Sequence, residues 1–579
     1  MEIRKVVSNA LVERGGIHYL EGHADFNYND GNQMEASLLQ ALRNSTDLSS
    51  GSRELEARAR DWVSWYHLAR ARSLAYRSLE IPADASVLEV GSGTGSISRL
   101  LGEKAGAVLA LEGSPRRAAL TRERTRDQAN VSVLCGSFEL VKFERKFDVV
   151  VCNGVLEYAS MFISGQRPAE RMLGMLSGLL QPGGTLVIAI ENKLGLRYFS
   201  SSREEHTNVR FDGLEGYPRH PGGPRTFGRG ELGGLLSEHF ASVEFLLPLP
   251  DYKFPQAVIR EALLDEVDCA EMFGSLGSGR SGAAERPLLH ERLAWHELGR
   301  NGLLREFANS FIAVASQSPS PLLPPGWMGD IHAIKRAPGL EVRTSIKRDG
   351  DGAIVTEKNY IPGLKPAGSD RFSHRLETLP WIGGESIHTV LSRAMLRGPG
   401  VSLEQRLRPA VSLWWQALQE RPEHAEGRRG ISGESLDLNW ENSILEDSEV
   451  RFIDGEWVLH GQVDADWMLY RALTKFVNTE WNFRHRWDRS CRGASKLTLF
   501  RTLGSITDVR CSLRSMWKAI GQEAQLQRFA TGGGRSPLHV LAEDCLPFWF
   551  VFHWGEAMQW ARRFAGRIKR NLRRVLSRQ

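Results

Sequence analysis

Between Ser86 and Ile190 the runs SVLEV, AVLAL, VSVLC, FDVVVC and TLVIAI recur, each separated from the next by a helix-like stretch or by turn residues. Strands that are apolar on consecutive positions are buried on both faces, which requires a parallel sheet covered on each side by crossover helices. The chain is therefore expected to build a doubly wound α/β domain. The pattern continues past Ile190: VEFLLPLP near Val243 and SFIAVAS near Phe311 predict two further strands of the same sheet. The stretch between them, residues 259–307, is too long for a bare loop and must hold helices of its own or cover the site. Ahead of the sheet, residues 53–79 read as one helix. Trp62, Trp65, Leu68, Ala69, Ala75 and Leu79 form its apolar stripe, Arg72 alone interrupts it, and Ile81-Pro82 ends it.

The first of these strands ends in Gly91-Ser92-Gly93-Thr94-Gly95. Glycines after a strand let the backbone turn tightly and approach a ligand at the start of the following helix. A dinucleotide loop reads GxGxxG, whereas here the third glycine comes one place early and Ser96 follows it. Glu112 ends the second strand, where a carboxylate across the crevice can accept both hydroxyls of a ribose. Asn153 and Leu156 follow the fourth strand, and LLQPGGTLVIAIEN brings the fifth to Glu191. The alternative is a plain glycine turn beside a surface carboxylate.

Taken in this order, the motifs resemble those of class I S-adenosylmethionine-dependent methyltransferases. The segments DWVSWYHLARAR, IENKLGLRYFSSSREEH, FDGLEGY, RTFGRGEL and NGLLREFANSFIAVA further resemble bacterial multidomain methyltransferases associated with surface-polysaccharide biosynthesis. The resemblance implies a Rossmann-like sheet and S-adenosylmethionine as cofactor. It also implies that Glu89, Gly91, Ser92, Gly93, Gly95 and Glu112 hold that cofactor, with Ser137 and Phe138 flanking the adenine and Asn153 and Leu156 its edge or tail. Many relatives carry an aspartate after the third strand, where this chain has Gly136-Ser137. Methyl transfer is an in-line displacement that relies on orientation and needs a base only for an acceptor such as a sugar hydroxyl. Glu157, Glu191 and His206 are the candidates for that base. Their alternatives are a helix cap for Glu157, an ion pair with Arg197 for Glu191 and a solvated loop for His206; His67 is expected to pack against the domain.

At 579 residues the chain calls for two or three domains. The methyltransferase domain is expected over 1–318, with its core at 80–250. The proline- and serine-rich run around 319–326 reads as a linker, 327–523 as an α+β kinase-like domain, and 524–579 as a helical, basic C-terminal segment. In the third region SLDLNWENSILEDSEVRFIDGEW sets Asp437, Asn442 and Asp454 in a kinase-like order. The resemblance implies Asp437 as proton acceptor, Asn442 and Asp454 as magnesium ligands, and Lys358 of AIVTEK on ATP phosphates. The departures are plain: no glycine-rich loop precedes Lys358, and Ser435-Leu436 stand where His-Gly or His-Arg is usual before the aspartate. An active kinase, an inactive kinase-like scaffold and an unrelated Asx-rich turn all remain open.

Residues 560–578 alternate Trp560, Phe564, Ile568, Leu572, Val575 and Leu576 with eight arginines and lysines. That pattern makes a basic amphipathic helix for an anionic membrane surface or, alternatively, one docked on the preceding domain. The net charge of +5 is diluted over the whole chain and does not point to nucleic acid. The six cysteines show no CxxC pair, which argues against zinc and a disulfide framework and fits a reducing cytoplasm. The N-terminal sixteen residues lack a signal-peptide core, and no long uncharged apolar run occurs. The expected partners are a glycan or sugar-phosphate acceptor, polysaccharide-assembly enzymes and the inner membrane face. The competing expectation is a small-molecule methyltransferase fused to a scaffold or glycan-binding module.

Overall fold

The structure, a computed structural model, describes residues 2–22, 31–277, 287–361, 369–421, 431–533, 537 and 540. It divides into two compact units, the first formed by Met1–Ile334 with Val342–Asn359, the second by Lys335–Glu341 with the described residues from Tyr360 onward.

The first unit is organised by one mixed sheet. Its strands in chain order are β1 (Leu11–Arg14), β2 (Ile17–Leu20), β3 (Ser86–Val90), β4 (Ala107–Glu112), β5 (Val131–Cys135), β6 (Phe147–Asn153), β7 (Leu180–Glu191), β8 (Ser242–Leu249), β9 (Ala257–Arg260), β10 (Ser310–Ser316), β11 (Trp327–Ala333), β12 (Val342–Arg348) and β13 (Ile354–Tyr360). In space they run β1-β2-β5-β4-β3-β6-β7-β10-β8-β9-β11-β12-β13. The stretch from β2 to β7 is parallel, with Leu88 of β3 level with Leu109 of β4 and Val150 of β6. Val87, Leu88, Val108, Leu109, Val150 and Ile188 have no exposed surface, which is why these strands read as unbroken apolar runs. Helices Ser96–Lys104, Pro115–Arg124 and Pro168–Gly178 cross between them. The strands at Val243 and Phe311 do join the sheet, but antiparallel, with β10 inserted between β7 and β8. Because the chain leaves β3 first toward β4 and later toward β6, a crevice opens at the carboxyl ends of β3 and β6, where α/β sheets bind ligands.

Residues 53–79 do not form the single helix expected. Arg53–Ala57, Trp62–Leu68 and Leu74–Arg77 are separate, with a 3-10 turn at Arg70–Ser73. Ser52 accepts from Leu55 N and Asp61 from Ser64 N, so each starts a new helix. The stretch after β9 holds helices Ala270–Leu276, Glu291–Arg300 and Leu304–Phe307.

The division of the chain differs from the expected linker at 319–326. After Pro324-Pro325 the backbone turns at Gly326, φ 73°, and β11 returns to pair antiparallel with β9, Gly329 opposite Ile259. VRTSIKR and AIVTEKNYI then extend the same sheet as β12 and β13. The edge of β9 presented unpaired N–H and C=O groups, and these strands satisfy them.

The second unit packs helices Ile387–Met395, Leu403–Gln419, Ala465–Thr479, Lys496–Thr507 and Leu513–Thr531 around Trp414, Trp440, Trp467, Phe476 and Trp487. A hairpin of Ser443–Glu446 with Glu449–Phe452 lies beside them. Of the expected C-terminal helical segment, residues 524–531 complete the helix Leu513–Thr531. The basic amphipathic stretch 560–578 lies outside the described residues. Among the described residues no helix is long and apolar enough to cross a membrane.

Candidate active site

The loop after β3 holds three glycines in left-handed backbone for different reasons. Gly91, Gly93 and Gly95 have φ of 76°, 57° and 80°. A Cβ on Gly95 would lie 2.8 Å from Thr121 Cα, and one on Gly91 would strike the Val155 side chain. A Cβ on Gly93 would meet nothing within 4 Å. Gly91 and Gly95 are thus fixed by packing, and Gly93 faces open space.

That space is a cavity of about 340 Å³, lined at this end by Glu89, Gly91, Ser92, Gly93, Glu112, Ser137, Phe138 and Asn153. Glu112 accepts from Gly93 N at 2.7 Å and from Ser114 N at 2.9 Å, which fixes its carboxylate at the cavity wall. Burial pushes its pKa up. Glu89 is buried and accepts from Ser98 Oγ. Burial raises it to about 7, with Glu112 adding repulsion. A cationic ligand bearing hydroxyls would relieve both groups. Tyr76 donates to Asn153 Oδ1 at 2.8 Å and holds that amide in place.

At the far end, Glu157, Glu191 and His206 meet, each with a ligand-type atom within 4.8 Å of the others. Glu157 and Glu191 are 2% and 0% exposed. Burial, reinforced by Glu191, raises Glu157 to about 8. Glu191 is held well below the usual carboxylate range, because Lys253 and His206 outweigh its burial. His206 is raised to about 9, since the neighbouring carboxylates outweigh its own burial. Its Nδ1 bonds the Tyr158 hydroxyl at 3.0 Å, and its Nε2 is 3.5 Å from Glu191 Oε2. Three simpler expectations are thereby overturned. Glu157 lines a cavity rather than capping a helix, Glu191 pairs with Lys253 rather than Arg197, and the His206 side chain is buried. Arg197 is engaged by Asp251 at 3.2 Å and by Glu205.

Two residues expected on the cofactor are placed elsewhere. Leu156 is buried, and its neighbours Val155 and Glu157 line the cavity in its stead. Gly95 stands behind the loop against Thr121. His67 is buried as expected, yet its Nδ1 bonds Thr94 Oγ1 at 2.9 Å and it also lines the cavity. Sequence reasoning missed Trp62, Tyr66, Arg72, Tyr252 and Lys253, all of which line the same cavity. Arg72, which broke the apolar stripe, was the available signal: it lies over the Tyr66 ring at 4.3 Å.

The kinase-like set is divided. Lys358 lies on β13 in the first unit, while Asp437, Asn442 and Asp454 belong to the second. Asp437 is buried in an ion pair with Arg471 at 2.8 Å, with Lys475 at 3.4 Å. The Asn442 amide donates to the backbone carbonyls of Asp437 at 2.8 Å and Asp454 at 3.0 Å, so it ties the loop to the hairpin and leaves only its Oδ1 for a cation.

Among solved structures, the chain is similar to the Haloferax volcanii methyltransferase complexed with its Trm112 activator, at 17% identity over 44% of this chain and 89% of that one, TM-score 0.26. It is also similar to an S-adenosylmethionine-dependent methyltransferase of Thermotoga maritima, at 16% identity over 43% and 91%, TM-score 0.25. A third is phosphoethanolamine N-methyltransferase 2 of Haemonchus contortus, at 15% over 43% and 52%, TM-score 0.26. No curated protein matches the chain. Residues 88–188 match the family model described as a methyltransferase domain. The matched stretch runs from β3 to β7 and carries the glycine loop, Glu112 and Asn153, so this part of the chain is an S-adenosylmethionine-dependent methyltransferase domain.

Proposed function

We propose that the protein transfers the methyl group of S-adenosylmethionine to a hydroxyl of a bacterial surface glycan. One observation carries this reading: the buried Glu157, Glu191 and His206 share a cavity with the cofactor loop and Glu112. A phosphate or carboxylate acceptor is already nucleophilic and would be repelled by Glu191 and Glu205, which line the same cavity. A neutral hydroxyl needs groups that accept its hydrogen bond and dispose of its proton. Trp62, which is 45% exposed at the cavity, and Tyr66 offer the aromatic faces on which a sugar ring stacks. This favours a hydroxyl over the sugar-phosphate terminus and over a small metabolite.

The second unit enters the proposal as a kinase-like scaffold that holds the glycan or recruits polysaccharide-assembly enzymes. The engagement of Asp437 by Arg471 supports that role over phosphoryl transfer with ATP and magnesium. The basic stretch 560–578 would keep the protein at the cytoplasmic face of an anionic membrane.

The test incubates the purified chain with methyl-labelled S-adenosylmethionine and bacterial oligosaccharides, and locates the label by carbon–proton correlation. The expected product is a methyl ether on a ring carbon. Label on phosphate or nitrogen, or none on any oligosaccharide, would overturn the reading.

A further inference from the structure

At the acceptor end of the cavity Glu157 Oε2 is buried with no hydrogen-bond partner, and His206 Nε2 and Glu191 Oε2 face each other there at 3.5 Å. A buried atom such as Glu157 Oε2 costs about 1–3 kcal/mol if it stays unsatisfied, and all three residues have ligand-type atoms gathered within 4.8 Å. The other side-chain atoms of His206 and Glu191 are engaged. His206 Nδ1 is on the Tyr158 hydroxyl, and Glu191 Oε1 accepts from the Tyr252 hydroxyl at 3.3 Å and pairs with Lys253. With Nδ1 turned to Tyr158, Nε2 is the ring nitrogen left to act as a ligand once the cation displaces the proton it shares with Glu191, and an outer partner on the other nitrogen is how metal-binding imidazoles are oriented.

We propose that Glu157, Glu191 and His206 bind one divalent cation through these three atoms. The proposal rests on the hydroxyl-acceptor reading and names the device by which that hydroxyl is activated. Two carboxylate oxygens and one imidazole nitrogen suit Mn²⁺ or Mg²⁺ better than a thiolate-seeking metal. The carboxyl groups around the site also suit a cation, which would take the place of the protons on Glu157 and His206: Glu157, Glu191, Glu204, Glu205 and Asp251 are buried or half-buried there, beside Arg197 and Lys253. Lys253 sits on the Oε1 side of Glu191 and leaves Oε2 to the cation.

Three protein ligands leave coordination positions for water and for the acceptor oxygen. A hydroxyl bound there is acidified, and its proton passes to cavity water. The oxygen lone pair forms the new O–CH3 bond as the S–CH3 bond breaks. That electron pair stays on sulfur, so the sulfonium becomes a neutral thioether.

The full chain, freed of metal by chelator, is titrated with MnCl2 while unbound Mn²⁺ is followed by electron paramagnetic resonance. The expected result is one Mn²⁺ per chain, with a nitrogen modulation from a directly bound imidazole in the spin echo. Glu157→Gln should weaken binding at least tenfold, and His206→Asn should abolish the nitrogen signal. No binding by the wild-type chain overturns the proposal, as does binding without a nitrogen signal. So does binding that survives Glu157→Gln but is lost in Asp454→Asn, which would place the ion in the second unit. Should either cavity variant fail to fold, the wild-type nitrogen signal decides alone. Glycan methylation that proceeds in full in the chelated protein sinks the cation and leaves the hydroxyl reading standing. Mn²⁺ binding with the nitrogen signal, but with label on phosphate, sinks only the acceptor.

Discussion

Gly93 and Gly95 lie two residues apart in the same loop, both in left-handed backbone, and the structure predicts that alanine at each damages a different property. For an L residue that conformation costs roughly 1–2 kcal/mol, and Gly93→Ala should lose about that and no more, since its Cβ meets nothing within 4 Å. Gly95→Ala adds a methyl 2.8 Å from Thr121 Cα, a backbone atom that cannot rotate away. Overpacking of that kind costs about 1–3 kcal/mol more, for a total of about 2–5 kcal/mol. In thermal unfolding this is a fall of roughly 3–7 °C for Gly95→Ala against about 1–3 °C for Gly93→Ala in a unit of this size. Binding should rank the other way. The empty space before Gly93 is where a ligand approaches the backbone, so a methyl there should weaken S-adenosylmethionine at least about tenfold, or 1.4 kcal/mol, by calorimetry. Gly95→Ala, where still folded, should bind nearly as wild type does. If Gly93→Ala bound the cofactor normally, or destabilised the chain as much as Gly95→Ala, the loop would be a folding element and not a cradle.

Buried charge sets two further outcomes. Burial holds His332 down to about 4, whereas in the unfolded chain it titrates near 6.5. Its contribution is therefore intact above pH 6.5 and is lost as pH falls toward 4, to a total of about 3 kcal/mol. Urea unfolding at pH 7 and pH 5 should show a loss about 2 kcal/mol larger in wild type than in His332→Leu; equal losses would show that His332 does not titrate on unfolding. In the second unit, Asp437→Asn leaves the buried Arg471 short of a partner and should destabilise that unit by about 3 kcal/mol in calorimetric melting. Unchanged stability together with lost ATP turnover would make Asp437 the proton acceptor of an active kinase.

The parallel core was legible because burial on both faces leaves few polar positions in a strand, so SVLEV and TLVIAI announced themselves, with the buried Glu89 as the exception that lines the cavity. That Glu112, Gly91 and Gly93 would line one cavity was legible for a similar reason, since they are fixed by where strands end. Leu156 misled because position after a strand does not say which way a side chain turns, and the 3-10 turn Leu156–Tyr158 directs it into the core. The linker misled for a different reason. Proline and serine at 319–326 report an extended backbone but not where the next strand pairs, and the demand came from the open edge of β9, which local composition does not record.

The acceptor end shows where local reasoning stops. Glu157 and Glu191 come from strand ends, His206 from the loop after β7, Lys253 from the turn after β8 and Arg72 from the broken helix before the sheet. Glu191 and His206 bracket the segment IENKLGLRYFSSSREEH and were legible as candidates together with Glu157, whereas nothing in the local sequence ties Lys253 or Arg72 to them. What makes them a site is that the sheet brings them into one buried volume, where Lys253 holds Glu191 ionised while burial and Glu191 work against the charge of Glu157. The same glycine loop and Glu112 can therefore serve many acceptors. Chemistry toward a hydroxyl has to be read from the side chains that the fold, and not the sequence, assembles opposite them.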